Sequence, residues 1–137
     1  MLLTQETDYA LRILRSLSNG SVVSVQQLAE QEDLPRHFAH KIAKKLEKAG
    51  IIHIKRGITG GCSLACDLGK TSLYDLVSAI ENRAMLSNCM GDGHICQWRE
   101  SHGGVCRTHN RLCMIQKQID QELRSRSLLW VLGFCQE

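Results

Sequence analysis

Apolar side chains recur every three or four positions through the first fifty residues of the chain, the spacing of helices that each bury one face. The first such stripe predicts a helix over residues 5–18. A second helix is predicted to begin after Ser24, because Gln27 three residues later completes the pattern of a capping box. Pro35 suits the first turn of a third helix, since that turn does not need the N–H donor that proline lacks.

The hydrophobic pattern changes after Gly50, where IIHIKRGITGGCSL predicts two short strands around a glycine-containing turn. A helical stripe returns over residues 72–82, with Ser72 and Asp75 as its capping pair. A longer helix is predicted from about residue 106 to 125, and its narrow apolar stripe is typical of helices that pair with each other. That stripe consists of Leu112, Ile115, Ile119 and Leu123. A last short helix is predicted near the end of the chain.

Three helices followed by a β-hairpin is the order of elements in a winged helix-turn-helix, whose third helix enters the DNA major groove. The sequence therefore predicts a mainly α fold, with a winged helix-turn-helix DNA-binding domain over residues 1–82. Residues 83–105 are predicted to be a cysteine-rich loop, and residues 106–137 a long dimerisation helix followed by the short helix. We expect a homodimer, because helix-turn-helix proteins usually bind paired half-sites.

Basic residues are concentrated in the third helix and the hairpin, although the net charge of the 137-residue chain is only +3. A local excess of positive charge favours binding to phosphate groups. The residues predicted to contact double-stranded operator DNA are Arg36, His37, Lys41, Lys44, Lys45, Lys55 and Arg56. The lysines suit phosphates, the residues at the helix start suit base edges, and Arg56 suits a narrow minor groove. The plain alternative is that the helix lysines only solvate an exposed face.

Seven cysteines are many for a chain that has no eighteen-residue apolar run and no signal-peptide pattern. These absences predict a cytoplasmic protein with no membrane partner, where disulfides are rare and thiols more often serve metal or redox chemistry. Cys89, Cys96 and Cys106 lie in a glycine-rich stretch, where they cannot fill a core. Thiols in such a stretch suit metal or redox chemistry.

Four segments of the chain resemble the Rrf2 family of bacterial winged-helix regulators, the group that includes IscR and NsrR. They are LTQETDYALRIL, VQQLAEQEDLPRHFAHKIAKKLEKAGII, KRGITGGCSL and TSLYDLVSAIE. The resemblance implies a dimeric transcription factor, usually a repressor, whose operator binding is controlled by an iron–sulfur cluster. It also implies that Cys89, Cys96 and Cys106 are cluster ligands, although the second gap in their C-x6-C-x9-C spacing is longer than in the family pattern.

The fourth cluster ligand is open among three residues. Asp8 in TDYALR matches the position at which NsrR-like proteins supply a carboxylate from the other subunit. His109 in CRTH matches the histidine of IscR-like proteins, and Cys113 shares a helix face with Cys106 and His109. The first motif favours a [4Fe–4S] cluster and the second a [2Fe–2S] cluster, and we expect the former. The plain alternative to a ligand role for His109 is a histidine on the helix surface. For Asp8 it is an acid in the first turn of a helix, where the helix dipole favours it.

Two other kinds of regulator would also explain the cysteines. A structural zinc ion takes thiolate and imidazole ligands, and thiol oxidation can act as a switch without any metal. The signal would be redox state, nitric oxide or the supply of iron and clusters. We expect no enzymatic activity, because the chain contains no C-x-x-C motif, and nothing in it resembles a catalytic triad or a phosphate-binding loop.

Overall fold

Helices form most of the fold, and a two-stranded antiparallel sheet lies between the third and fourth of them. The computed structural model describes residues 3–82 and 85–135. In chain order the elements are α1 (Gln5–Leu17), α2 (Val25–Gln31), α3 (Arg36–Lys48), β1 (Ile52–Lys55), β2 (Gly61–Leu64), α4 (Leu73–Glu81), α5 (Gln97–Ser101), α6 (Arg107–Ser125) and α7 (Leu128–Val131), with a 3₁₀ turn at Asn88–Met90 before α5. The predicted mainly α, winged-helix architecture is confirmed.

Local sequence signals set where α2, α3 and α4 begin. At the start of α2 the Ser24 side chain accepts from the Gln27 N–H, and the Gln27 side chain accepts from the Ser24 N–H. Ser72 and Asp75 form the same capping box at the start of α4. Pro35 lies one residue earlier than predicted, as the N-cap of α3 rather than inside its first turn. The difference is small because both positions leave the backbone nitrogen without a helical partner.

The hairpin formed by β1 and β2 is the wing. Ile52 pairs with Leu64 and Lys55 with Gly61, so the turn carries residues 56–60. A Cβ atom on Gly60 would lie 2.1 Å from the Lys55 carbonyl oxygen, and therefore only glycine fits this turn. Cys62 is fully buried on β2, and its backbone exchanges hydrogen bonds with Val23 before α2. The wing is thereby attached to the helix-turn-helix.

The core lies between α1, α3 and α4 and is closed by α7. Its fully buried side chains include Ile13, Leu14, Leu17, Leu28, Ile42, Leu46, Ile52, Leu76, Ile80 and Leu128. The C-terminal end of α6 is attached to this body, because the Leu73 N–H donates to the Arg126 carbonyl and Arg124 stacks on the Tyr74 ring at 3.5 Å. The rest of α6, a helix about 28 Å long, extends from this attachment toward the cysteines.

The cysteine-rich stretch contains more secondary structure than the sequence predicts. The 3₁₀ turn and α5 both fall inside the predicted loop, and neither contains a buried residue. Such short exposed elements have no apolar stripe to reveal them. The predicted domain boundary lies between residues 82 and 83, and residues 83 and 84 lie outside the described part of the chain. Within the described residues, no helix is long and apolar enough to cross a lipid bilayer.

Candidate DNA-binding surface and cysteine site

The exposed face of α3 and the wing carry the predicted DNA contacts. Arg36, His37 and Lys44 are exposed on α3, and Lys55 and Arg56 are exposed where β1 enters the turn. These two elements adjoin: a groove of about 340 Å³ is lined by His40 of α3 together with Lys55 and the wing glycines. The sequence argument missed His40, although its position four residues after Arg36 and four before Lys44 places it on the same helix face.

Ion pairs with acidic residues compete with DNA for some of these basic side chains. Arg36 lies 3.5 Å from Glu30, and both side chains are largely exposed, so this pair is weak. Lys41 and Lys45 both contact the carboxylate of Glu6 in α1. Hydrogen bonds from these two lysines lower the pKa of the Glu6 carboxyl below its ordinary value. Glu6 is therefore ionised at neutral pH and neutralises part of the positive surface.

His109 is the centre of the cysteine site. Its Nδ1 atom lies 3.4 Å from the Cys89 sulfur in the 3₁₀ turn, and its Nε2 atom lies 3.4 Å from the Cys113 sulfur one turn along α6. The sulfur of Cys106, which caps α6, accepts from the His109 backbone N–H at 3.3 Å. Ser87 also contacts the Cys89 sulfur, at 3.2 Å. His109 is thus in contact with three of the thiols, two through its imidazole ring and one through its backbone N–H.

Cys96 and Asp8 lie elsewhere within the single chain. Cys96 directly precedes α5 and lines a small groove with Ile95, Arg99 and Gly104. Asp8 pairs with Arg12 at 2.9 Å and lines a groove that α1 shares with α7. Across residues 3–82 and 85–135, no three His, Cys, Asp or Glu side chains converge closely enough to hold a metal ion.

A sequence profile described as "Rrf2: Iron-dependent Transcriptional regulator" matches residues 3–133. The chain belongs to the Rrf2 family. The HTH-type transcriptional repressor NsrR of Streptomyces coelicolor is 33% identical over 117 residues, which span 82% of this chain and 75% of that protein. This Rrf2 protein is therefore a DNA-binding transcriptional regulator. Its relatives in Aquifex aeolicus and Streptomyces coelicolor are named as transcriptional regulators rather than enzymes, as the sequence predicts.

Solved structures show the same fold as this Rrf2 protein. CymR of Staphylococcus aureus in an oxidized form aligns with a TM-score of 0.70 at 19% identity, covering all of both chains. IscR of T. potens aligns with a TM-score of 0.68 at 20% identity, covering 98% of this chain and 88% of that one. The winged-helix regulator fold is thus established by two similar structures.

The donor atoms of the Rrf2 chain fit an iron–sulfur cluster in their chemistry. Thiolates are the main cluster ligands, and Cys89, Cys96 and Cys106 are all partly exposed. Cys62 differs, because burial raises the pKa of its thiol and keeps it protonated. Cys89 and Cys106 already meet at His109. Cys96 lies in a different part of the loop, directly before α5. Gly103 and Gly104, both at positive φ, connect α5 to α6.

Proposed function

We propose that this protein is a dimeric repressor whose affinity for operator DNA is controlled by an iron–sulfur cluster at the cysteine site. The observation that carries the proposal is the meeting of Cys89 and Cys106 at His109, outside the core of a winged-helix protein. Thiols placed to pack a core would be buried, as Cys62 is. The description of the family as iron-dependent regulators supports the same conclusion.

Three thiolates and one weaker ligand would hold the cluster. Cys89, Cys96 and Cys106 supply the sulfur atoms, and [4Fe–4S] is the type we favour. His109 is in contact with two of these cysteines within one chain, whereas Asp8 would reach the site only from a second subunit. A nitrogen or oxygen ligand from His109 or Asp8 would hold iron less firmly than a thiolate does, so the cluster would be open to oxygen, nitric oxide or iron shortage at that position. The protein's part is to bring these ligands together and leave that corner accessible.

DNA recognition in the proposal uses α3 and the wing. Arg36 and His37 at the start of α3 suit base edges in the major groove, and Lys44 suits a phosphate. Lys55 and Arg56 of the wing suit an adjacent groove. Lys41 and Lys45 complete the predicted set, but both contact Glu6.

The exposed side of α6 is the proposed dimer interface. Of its predicted stripe, Leu123 is buried against the body, whereas Ile115 is 46% exposed and its neighbour Met114 is 58% exposed. Two apolar side chains left in water on a 19-residue helix suit pairing with the same helix of a second copy.

Iron and sulfide content tests the proposed cluster. Protein purified without oxygen is expected to contain both elements and to absorb visible light, and Cys106→Ser is expected to lose most of both. Cys135→Ser is the matched control, because Cys135 is exposed near the chain end, and it should retain the wild-type content. Absence of iron and sulfide from the wild-type protein would refute the cluster.

The contacts of His109 also favour a second candidate, a regulator without a cluster. An imidazole between the Cys89 and Cys113 thiols suits either a zinc site or thiol oxidation. A colourless protein that contains zinc, or a metal-free protein whose thiols oxidise together with a change in DNA binding, would support this candidate.

A further inference from the structure

Glu6 connects the first turn of α1 to the DNA-reading helix. Its Oε2 atom accepts from the Lys45 ammonium at 2.6 Å, and its Oε1 atom contacts the Lys41 ammonium. These contacts span 35 or more positions of the sequence. We propose that Glu6 is a positioning residue for DNA binding, which holds Lys41 away from the phosphates while Lys45 acts as a structural tether. This inference rests on family membership and does not require a cluster.

Lys45 has the contacts of a structural residue. Besides Glu6, its ammonium donates to the Ile80 carbonyl oxygen at 2.7 Å, in the last turn of α4. Carbonyl groups in a last turn lack helical partners, and a cation there is favoured by the helix dipole. The Lys45 side chain is only 27% exposed. Moving it to a phosphate would leave Glu6 and the Ile80 carbonyl without this donor, at the cost of two half-buried hydrogen bonds.

Lys41 differs from Lys45 in exposure. Its side chain is 53% exposed, and it lies one helical turn closer to the start of α3, where the predicted base contacts are. An ion pair made by so exposed a lysine contributes little to stability. A change at Glu6 can therefore release Lys41 to a phosphate without unfolding the helix.

The first turn of α1 is fixed to α4, which keeps Glu6 in place. Thr7, which is almost fully buried, donates through its hydroxyl to Glu81 at 2.6 Å, and the Thr4 N–H donates to the same carboxylate at 3.3 Å. Glu6 lies between these two anchors on the same turn. The Glu6 carboxylate therefore contacts Lys41 and Lys45 of α3 from a fixed position. A fixed position is what a residue needs if it is to control whether Lys41 can bind a phosphate.

The salt dependence of DNA binding tests this assignment. Each phosphate contact adds about 0.9 to the slope of log affinity against log salt concentration. We expect Glu6→Gln to steepen that slope by about 0.9 per subunit, because Lys41 becomes free to bind a phosphate. The probe is a fluorescent mixed-sequence duplex long enough for both subunits, since phosphate contacts do not depend on base sequence. Glu47→Gln is the control, because it removes the same charge from an exposed position of α3.

A second set of variants separates the proposal from a general charge effect. Adding Lys41→Gln to Glu6→Gln should return the slope to the wild-type value. In the otherwise wild-type protein, Lys41→Gln should leave the slope unchanged, whereas a lysine already on a phosphate would lower it by about 0.9 per subunit. Such a decrease, or a Glu6→Gln slope equal to that of the wild type, would overturn the assignment. The single Lys41 variant keeps the test valid if Glu6→Gln does not fold.

Discussion

The winged-helix part of the chain and the cysteine-containing part differ in how much of each is buried. Through α1 to α4 the buried side chains form one continuous core, which includes the fully buried Leu14, Leu46 and Ile80. Among the described residues from 85 to 127, Leu123 alone is buried. Packing fixes the first part within one chain. In the second part several apolar side chains are exposed and the thiols of Cys89, Cys96 and Cys106 are only partly buried, which suits the ligand and the second subunit that we propose.

Removal of a core side chain is expected to have the largest effect on stability. Leu46→Ala should lower the free energy of unfolding by about 2–5 kcal/mol, because a fully buried leucine leaves a cavity that the packed helices cannot fill. Ile95→Ala in the cysteine part should change it by less than about 0.5 kcal/mol, since Ile95 is 73% exposed. Urea unfolding followed by circular dichroism measures both variants. Equal effects would contradict the contrast between the two parts.

Loss of one helix cap should have an intermediate effect. Ser72→Ala removes the side chain that accepts from the Asp75 N–H at the start of α4, and should cost about 1 kcal/mol. Ser101→Ala is the comparison in the cysteine part, because Ser101 is exposed at the end of α5. We expect the Ser101 variant to unfold at nearly the wild-type urea concentration. A larger loss for Ser101 than for Ser72 would show that α5 is more firmly held than its exposure indicates.

Substitution of a proposed cysteine ligand should lower the metal content of the protein and leave its stability almost unchanged, the opposite of a core substitution. Cys106→Ser should change the stability of metal-free protein by less than about 1 kcal/mol, because Cys106 is only partly buried and serine also caps helices. Its effect should instead appear in the iron content of the anaerobically purified protein. Comparison of unfolding and metal analysis on the same sample separates the two roles. A variant that unfolds readily without metal would show that Cys106 is structural.

Acid should weaken the winged-helix part through two ionised carboxylates. Hydrogen bonds from Lys41 and Lys45 lower the pKa of Glu6. Burial opposes the ionisation of Glu32, but hydrogen bonds from Arg15 and Ser16 outweigh it and lower the pKa of its carboxyl as well. Because both folded-state pKa values are lower than the ordinary value of 4.5, the stability they contribute is complete above it and is lost as the pH falls through the lowered values.

The measurement for this effect is the unfolding free energy at a series of pH values from neutral to acid. Glu32→Gln should make the curve flatter below pH 4.5 than it is for the wild type. Glu100→Gln, at an exposed position in α5, should leave the shape of the curve unchanged. If Glu32→Gln also leaves the curve unchanged, the Arg15 pair does not stabilise the fold. This is the smallest of the expected effects.

Local signals explain why the sequence predicts the winged-helix part well. The capping boxes of α2 and α4 each involve residues three positions apart, and an apolar stripe spans only a few turns. The contacts that define the candidate sites are of another kind. His109 meets Cys89 across 20 residues, and Glu6 meets Lys41 across 35. The side-chain types of such pairs are visible in the sequence, but their meeting depends on how whole helices pack.

The DNA affinity of one anaerobic sample, before and after its cluster is removed, tests the central claim most directly. The probe is a duplex that the protein itself selects from genomic DNA, and the cluster is removed by nitric oxide or by a chelator with oxidant. The account predicts a change of at least about tenfold in affinity, equivalent to about 1.4 kcal/mol, while Cys106→Ser responds to neither treatment. Equal affinity of the intact and cluster-free protein for that duplex would contradict it.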